Sequence, residues 1–222
     1  DYKSCTKFVA AITRERFGFE APDLAELIEW ADIIDGAQYP DAATAVKMEV
    51  PATQLTLVIE AGPDHELLPG LIPLLAGKSL REIMQMPEIA ALFRPLYERH
   101  LESMELIRQR SHCEGGVVFF DLSGVDLEGY SKFIPYYLYP QSVYSVSISP
   151  SSFRTKISVG SNPWNTQSRM HNLATICERY GGGGHARVGA ISFEPGAIER
   201  ARQAAREIVV ELGKPASRTS SQ

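Results

Sequence analysis

The sequence is short of cysteine, has no long apolar run and carries no large excess of either charge. Its three cysteines, Cys5, Cys113 and Cys177, are scattered. They form neither a metal-ligand spacing nor a disulfide framework, which fits a reducing cytosol and thiols buried as small hydrophobes. No apolar stretch approaches the ~20 residues that span a bilayer, so no transmembrane helix or membrane partner is expected. Asp1-Tyr2-Lys3-Ser4-Cys5 lacks the basic-then-apolar pattern of a secretory signal. His65, His100, His112 and His171 stand alone, with no His-x-x-Glu pair or His/Asp cluster, and each reads as a surface or structural residue. A net charge of −5 excludes a chain that binds nucleic acid over its whole surface by electrostatics. What is present is ordinary: 44% hydrophobic and 22% charged residues over a length of 222, enough for one large domain or two small ones. The first residue is Asp1 rather than Met, from which a fragment or a trimmed chain is expected.

The charge is unevenly spread. Between Ser151 and Ala190 the basic residues are Arg154, Lys156, Arg169, Arg179 and Arg187, five against the single acid Glu178, or +4 locally on an acidic chain. Such a segment fits a confined anion site as well as it fits a solvated face.

Periodicity divides the chain in two. The first half reads as helices: Lys3–Phe17 stopped by Gly18, a second opened by Pro22-Asp23 and ending near Gly36, and a short apolar one over Thr53–Glu60. Leu67–Leu75 is interrupted by Pro69, Gly70 and Pro73 and predicts a broken helix at best. Ser79-Leu80-Arg81-Glu82 has the form of a capping box. A long helix follows from Pro87 to about His112, with Pro95 expected to bend it. Cys113-Glu114-Gly115-Gly116 reads as the domain boundary. After it come a strand over Val117–Leu122, a helix over Val125–Tyr139, a strand pair (Ser142–Ser149 and Phe153–Val159) turned at Pro150-Ser151-Ser152, and a helix over Met170–Tyr180. A strand over Val188–Phe193 and a last amphipathic helix over Pro195–Leu212 complete about four strands and three helices. Pro215–Gln222 reads as a disordered tail.

The most specific stretch is Tyr180-Gly181-Gly182-Gly183-Gly184-His185-Ala186-Arg187. A helix stop needs one glycine, and the other three have no evident packing use in the sequence. Successive bare amides build an anion-binding nest, His185 can donate to a phosphate oxygen, and Arg187 can add a charged contact. The run lacks the lysine and hydroxyl of a Walker A loop, and it ends a helix rather than opening one, unlike a dinucleotide fingerprint. A flexible connector and close backbone packing are the competing readings.

Ile176-Cys177-Glu178-Arg179-Tyr180-Gly181-Gly182-Gly183-Gly184-His185, with Val188-Gly189-Ala190 after it, resembles the signature of the accessory domain of DHH phosphoesterases, in the branch that includes exopolyphosphatase-like and oligoribonuclease-like enzymes. The resemblance implies an α/β chain. Residues 1–86 would be a mostly helical remnant of the catalytic domain, and 87–116 a linker helix and hinge. Residues 117–213 would be a compact mixed-sheet accessory domain that binds substrate, and 214–222 the tail. It further implies metal-dependent hydrolysis of phosphodiester or phosphoanhydride bonds in small nucleotides, short single-stranded oligonucleotides or polyphosphate. Two manganese ions, or magnesium in their place, would be the cofactors. A cytoplasmic location is expected, and a homodimer is compatible with the resemblance. Gly182, Gly183, Gly184 and His185 would hold a substrate phosphate, with Arg187 and Arg154 as further contacts.

Ala31-Asp32-Ile33-Ile34-Asp35-Gly36-Ala37 resembles the third catalytic motif of that family, which makes Asp35 a metal ligand; otherwise both acids belong to a helix surface. Two departures stand out. The Asp-x-Asp and Asp-His-His motifs occur nowhere in the sequence, so this chain alone is expected to be inactive, and a non-catalytic nucleotide- or oligonucleotide-binding module is the alternative. Where many relatives carry an arginine at a strand end, this chain has Gly160, leaving Arg154, Lys156 or Arg187 to supply the charge. Trp164, in a turn, suits either base stacking or packing.

Overall fold

A computed structural model describes residues 2–61, 67–125, 127, 129–165 and 171–214. Two compact units divide between Leu101 and Glu102.

The first unit is helical. Its described helices are α1 (Cys5–Phe17), α2 (Ala25–Asp35, entered through a 3-10 turn at Pro22–Leu24), α3 (Ala42–Val46), α4 (Pro51–Ala61), α5 (Leu67–Gly77), α6 (Leu80–Gln85) and most of α7 (Pro87–Arg110). Gly18 ends α1 in the left-handed conformation, as the sequence predicts, and Ser4 caps its start. The Ser79–Glu82 capping box is formed in full. Apolar contact among Leu55, Leu71, Leu80, Ile83 and Ile89 makes the core, each side chain worth about 1.5–3 kcal/mol of burial.

Two expectations for this half are corrected. The stretch at 67–75 is one continuous helix, running on to Gly77. Pro69 lies in the first turn, where no N–H is needed, and only Pro73 removes an internal hydrogen bond. Helix α3, which no apolar periodicity announces, is started by Asp41, whose carboxylate accepts from the Thr44 N–H at 2.7 Å.

Asp32 ties α1 to α2. It is 7% exposed and accepts the N–H groups of Lys3 and Ser4 at 2.9 Å each, with the Lys7 ammonium on its other oxygen at 2.9 Å. The carboxylate thus answers the orphan donors at the start of α1. Lys7 first, then the Ser4 and Lys3 amides, overcome the effect of burial and hold its pKa at about 2, against 3.8 ordinarily.

The second unit is a six-stranded mixed sheet in the order β1-β2-β3-β4-β6-β5. The strands are β1 (Ser111–Glu114), β2 (Val117–Asp121), β3 (Tyr144–Pro150), β4 (Thr155–Ser161), β5 (Gly183–His185) and β6 (Val188–Phe193). Only β2 and β3 pair in parallel; the rest are antiparallel. Helices α9 (Leu173–Glu178) and α10 (Ile198–Leu212) cover one face. Tyr144, Val146, Ile148, Ile157, Val159 and Ile191 point into that core, and Ala201, Ala204 and Ala205 let α10 lie close. Arg202 of α10 holds the end of β2, with Nε 2.7 Å from Asp121 and Nη2 2.8 Å from the Ser123 hydroxyl. Burial alone would raise the Asp121 pKa; Ser123 and Arg202 outweigh it and lower it.

Further expectations change here. Cys113–Gly116, read from sequence as the boundary, is the close of the β1–β2 hairpin, with Gly115 and Gly116 at φ of 57° and 78°. Among the described residues of 125–139 only α8 (Ile134–Leu138) is helical; Gly129 lies at positive φ and Pro135 marks the helix start. The sheet has six strands because the Ser111–Glu114 end of the long helical pattern and the glycine run each supply one. Residues 215–222 lie outside the described residues.

A folded pKa below the unfolded value means that Asp32 stabilises the first unit fully above about pH 3.8, and that this contribution is lost as pH falls through about 2. Asp32→Asn is therefore expected to lower the melting temperature at pH 7, with the gap to the unchanged chain closing as the pH falls from about 4 toward 2, measured by circular dichroism.

Candidate functional site

The glycine run is mostly built into structure. Gly181 is the left-handed stop of α9 at φ 76°, and its amide donates to the Glu178 carbonyl at 3.0 Å. The Gly182 amide donates to the Cys177 carbonyl at 2.9 Å, and a Cβ on Gly182 would sit 2.2 Å from the Ala190 carbonyl oxygen. Gly184, at φ 151°, is paired with Gly189, and a Cβ on it would lie 2.2 Å from the Val188 carbonyl oxygen. The nest of four free amides expected from sequence is therefore not formed: packing uses two of the glycines, Gly182 and Gly184, and the backbone conformation uses Gly181. Gly183 is different: a Cβ there would meet nothing within 4 Å.

Pleating decides which side chains meet. Residues directly opposite across a sheet share a face. His185 pairs with Val188, which pairs with Gly160; Gly183 pairs with Ala190, which pairs with Ser158; Lys156 pairs with Ser192. All eight lie on the face away from α9 and α10. Arg154, just before β4, joins them, its Nη1 3.3 Å from the Ser192 hydroxyl. On this side β4 is only partly buried at Lys156, Ser158 and Gly160, whereas Thr155, Ile157 and Val159 on the other are buried.

The β2–β3 half of the same face is closed. Tyr130 and Tyr136 lie over it, with hydroxyls 2.9 Å from Ser147 Oγ and 2.7 Å from Ser145 Oγ. A Cβ at Gly160 would be 2.5 Å from the Tyr136 hydroxyl. That contact explains the glycine where an arginine is expected: the space is filled by a tyrosine from α8.

Of the expected site residues, Gly183, His185 and Arg154 share one face. Gly182 and Gly184 support them from the backbone. Arg187 occupies the β5–β6 turn, where its carbonyl accepts from the Ser161 N–H at 3.0 Å and the Ser161 hydroxyl at 3.1 Å. Arg179 is removed from the basic set by its ion pair with Glu211; Arg169 lies outside the described residues. Ser158 and Ser192 escape the sequence reading, although the alternation Thr155, Ile157, Val159 implies an opposite polar row. Trp164 packs edge-on against Phe133, with ring centroids 5.5 Å apart. His100 donates from Nε2 to the Val46 carbonyl at 2.7 Å, and His171 to the Lys214 carbonyl at 3.0 Å. His65 lies outside the described residues.

In the first unit, Asp35 is exposed at the end of α2. No three His, Cys, Asp or Glu side chains gather to hold a metal ion among the described residues. The donors present do not fit a two-metal centre, and no bond-breaking step is assigned to them.

No protein-family model and no curated protein matches the chain. Solved structures do. The pGpG-specific phosphodiesterase PggH of Vibrio cholerae is similar at 22% identity and a TM-score of 0.77, over 91% of this chain and 71% of that one. The chain has a DHH-type fold. An exopolyphosphatase-related protein of Bacteroides fragilis is similar at 16% identity and a TM-score of 0.51, over 94% of this chain and 58% of its own. The DHH domain of a member of a ribosomal-protein family follows at 13% and 0.53, over 86% and 51%. The chain spans only about half the length of each of these last two. No helix among its described residues is long and apolar enough to cross a membrane.

The glycines separate by role. Gly182→Ala and Gly184→Ala force a Cβ onto backbone oxygens and are expected to cost about 1–3 kcal/mol each. Gly183→Ala is expected to stay within about 0.5 kcal/mol of the unchanged chain. Urea denaturation of the three variants checks the order.

Proposed function

We propose that the chain serves in the metal-dependent hydrolysis of phosphodiester or phosphoanhydride bonds, and that the open face of its second unit holds a substrate phosphate. The observation that carries this is the alignment of His185, Lys156 and Arg154 with the Ser158 and Ser192 hydroxyls along one face, whose paired residues on β4, β5 and β6 include no carboxylate; Glu194 follows β6 at the Arg154 end. Two cationic side chains and an imidazole supply charge-assisted donors. The hydroxyls supply further donors, and the outer side of the edge strand β5 presents backbone groups that no neighbouring strand takes up. The DHH-type fold, shared with a pGpG-specific phosphodiesterase and an exopolyphosphatase-related protein, supports small nucleotides, short oligonucleotides or polyphosphate as the substrate range.

Each residue has a part that does not require it to break a bond. His185 stands at the end of β5 and can donate to a phosphate oxygen. Gly183 leaves the backbone bare beside it. Arg154 and Lys156 lie farther along β4 and neutralise additional charge. Manganese or magnesium would supply the activated water; among the described residues Asp35 is the candidate ligand, and it does not make a metal site by itself.

Calorimetric titration of the chain with pyrophosphate tests this reading. His185→Ala is expected to weaken binding at least tenfold. Gly183→Val, whose side chain enters open space, is expected to do the same without lowering the melting temperature. Unchanged affinity in both variants would remove this face from substrate binding.

A further inference from the structure

We propose that the open face extends into a second subsite at the tip of the β3–β4 hairpin, where Phe153 stacks on a base of a short single-stranded oligonucleotide and Arg154 and Lys156 meet its backbone phosphates. This rests on the reading of His185 as a phosphate-holding group and adds the far end of β4 to it.

The tip is a four-residue turn. The N–H and hydroxyl of Ser151 both donate to the Arg154 carbonyl, at 2.8 and 3.1 Å. The turn breaks the alternation of β4. Phe153, which the pattern Phe153, Thr155, Ile157, Val159 assigns to the core side, is instead 67% exposed. A phenyl ring in water at a hairpin tip adds little to the core and is open to a ligand. The Arg154 guanidinium lies 5.1 Å from the ring centroid and also reaches the Ser192 hydroxyl, so a single cation links the ring to the polar face. Lys156 follows on the same side of β4, opposite Ser149 and Ser192. The first carboxylate past β6 is Glu194, beyond the paired residues.

An exposed aromatic ring flanked by cations along a groove is the arrangement by which proteins hold single strands without reading sequence. The face also has the right reach. Gly160 lies beside Val188 and hence His185, and six residues of β4 separate it from Arg154, about 20 Å at ~3.3 Å per residue. At a stacked rise of about 3.4 Å per nucleotide this accommodates up to about six nucleotides, more than a mononucleotide fills. Polyphosphate would use the cations and leave the ring idle.

Binding of oligoadenylates of two to eight nucleotides, and of pyrophosphate, to the chain described here tests the subsite by calorimetry. Affinity is expected to rise with length and level off near six nucleotides. Phe153→Ala is expected to weaken hexanucleotide binding about 5- to 150-fold, the range for losing one stacked base, while leaving pyrophosphate binding unchanged. Phe153→Trp should restore it. The double variant Arg154→Gln, Lys156→Gln should reduce the salt dependence of hexanucleotide binding by about 1.4 in log–log slope. Undiminished hexanucleotide binding by Phe153→Ala, an equal loss of pyrophosphate, or no oligonucleotide binding by the unchanged chain overturns the proposal. Retained pyrophosphate binding by His185→Ala instead defeats the reading it rests on, so the two failures are told apart.

Discussion

The second unit depends on how closely three pieces of backbone approach one another. Strand β6 is pressed by α9 on one side and by β5 along its edge, and at each contact the chain supplies a glycine. At Gly189 a Cβ would lie 2.5 Å from Cys177 Sγ; at Gly182 and Gly184 it would lie 2.2 Å from carbonyl oxygens of β6. A side chain at Gly182 or Gly184 would force β5 off the sheet edge, and one at Gly189 would push against α9. The consequence is positional: with β5 in register, His185 stands beside Val188 and Gly160 rather than on a loose connector. Close packing, one of the competing explanations for the glycines, is thus the means by which the histidine is placed.

The sheet then sorts its residues by pleat. Apolar residues of β3, β4 and β6 go to the helices, and the alternate row must find water, a cover or a ligand. Over β2 and β3 it finds a cover, the segment bearing Tyr130 and Tyr136, whose hydroxyls meet the buried serines that would otherwise stand unsatisfied. Over β4, β6 and β5 it is left open. The border between closed and open halves runs at Gly160, where Tyr136 reaches over from α8.

Much of this is legible in the sequence. The stops at Gly18 and Gly36, the capping box at Ser79 and the β3–β4 pair follow from local residue chemistry, which tertiary contacts do not override. The glycine run stands out as special, but its division of labour does not, because opposing carbonyls 2.2 Å away belong to a strand several residues on and leave no local signal. The shortness of the helix within 125–139 follows from Gly129 and Pro135, local signals that the apolar pattern masks, whereas α5 runs on through Pro73 against its local signal. Periodicity counts Phe153 with the core because it carries no record of where a strand ends and a turn begins; β4 starts at Thr155 and Phe153 is exposed. Asp32 and Asp35 look alike in sequence, yet four backbone and side-chain donors from the start of α1 converge on the first and leave the second exposed.

The glycine at position 160 bears on what kind of ligand the face suits. A cation at that point would stand in line with His185 across Val188, about 10 Å away, and concentrate charge at one end of the face. Tyr136 removes that option, and the available cations lie instead at Lys156 and Arg154, four and six residues along the same strand. Charge drawn out along a strand suits a ligand whose own charge is drawn out, because each phosphate then meets a separate cation without crowding like charges together. A compact anion would gain from only one of them. The aromatic ring at the far end continues that line, and the whole row forms on rigid strands whose spacing the pleat fixes. The glycine by which this chain departs from the resemblance at position 160 therefore leaves the cations of this face along a track rather than at a point.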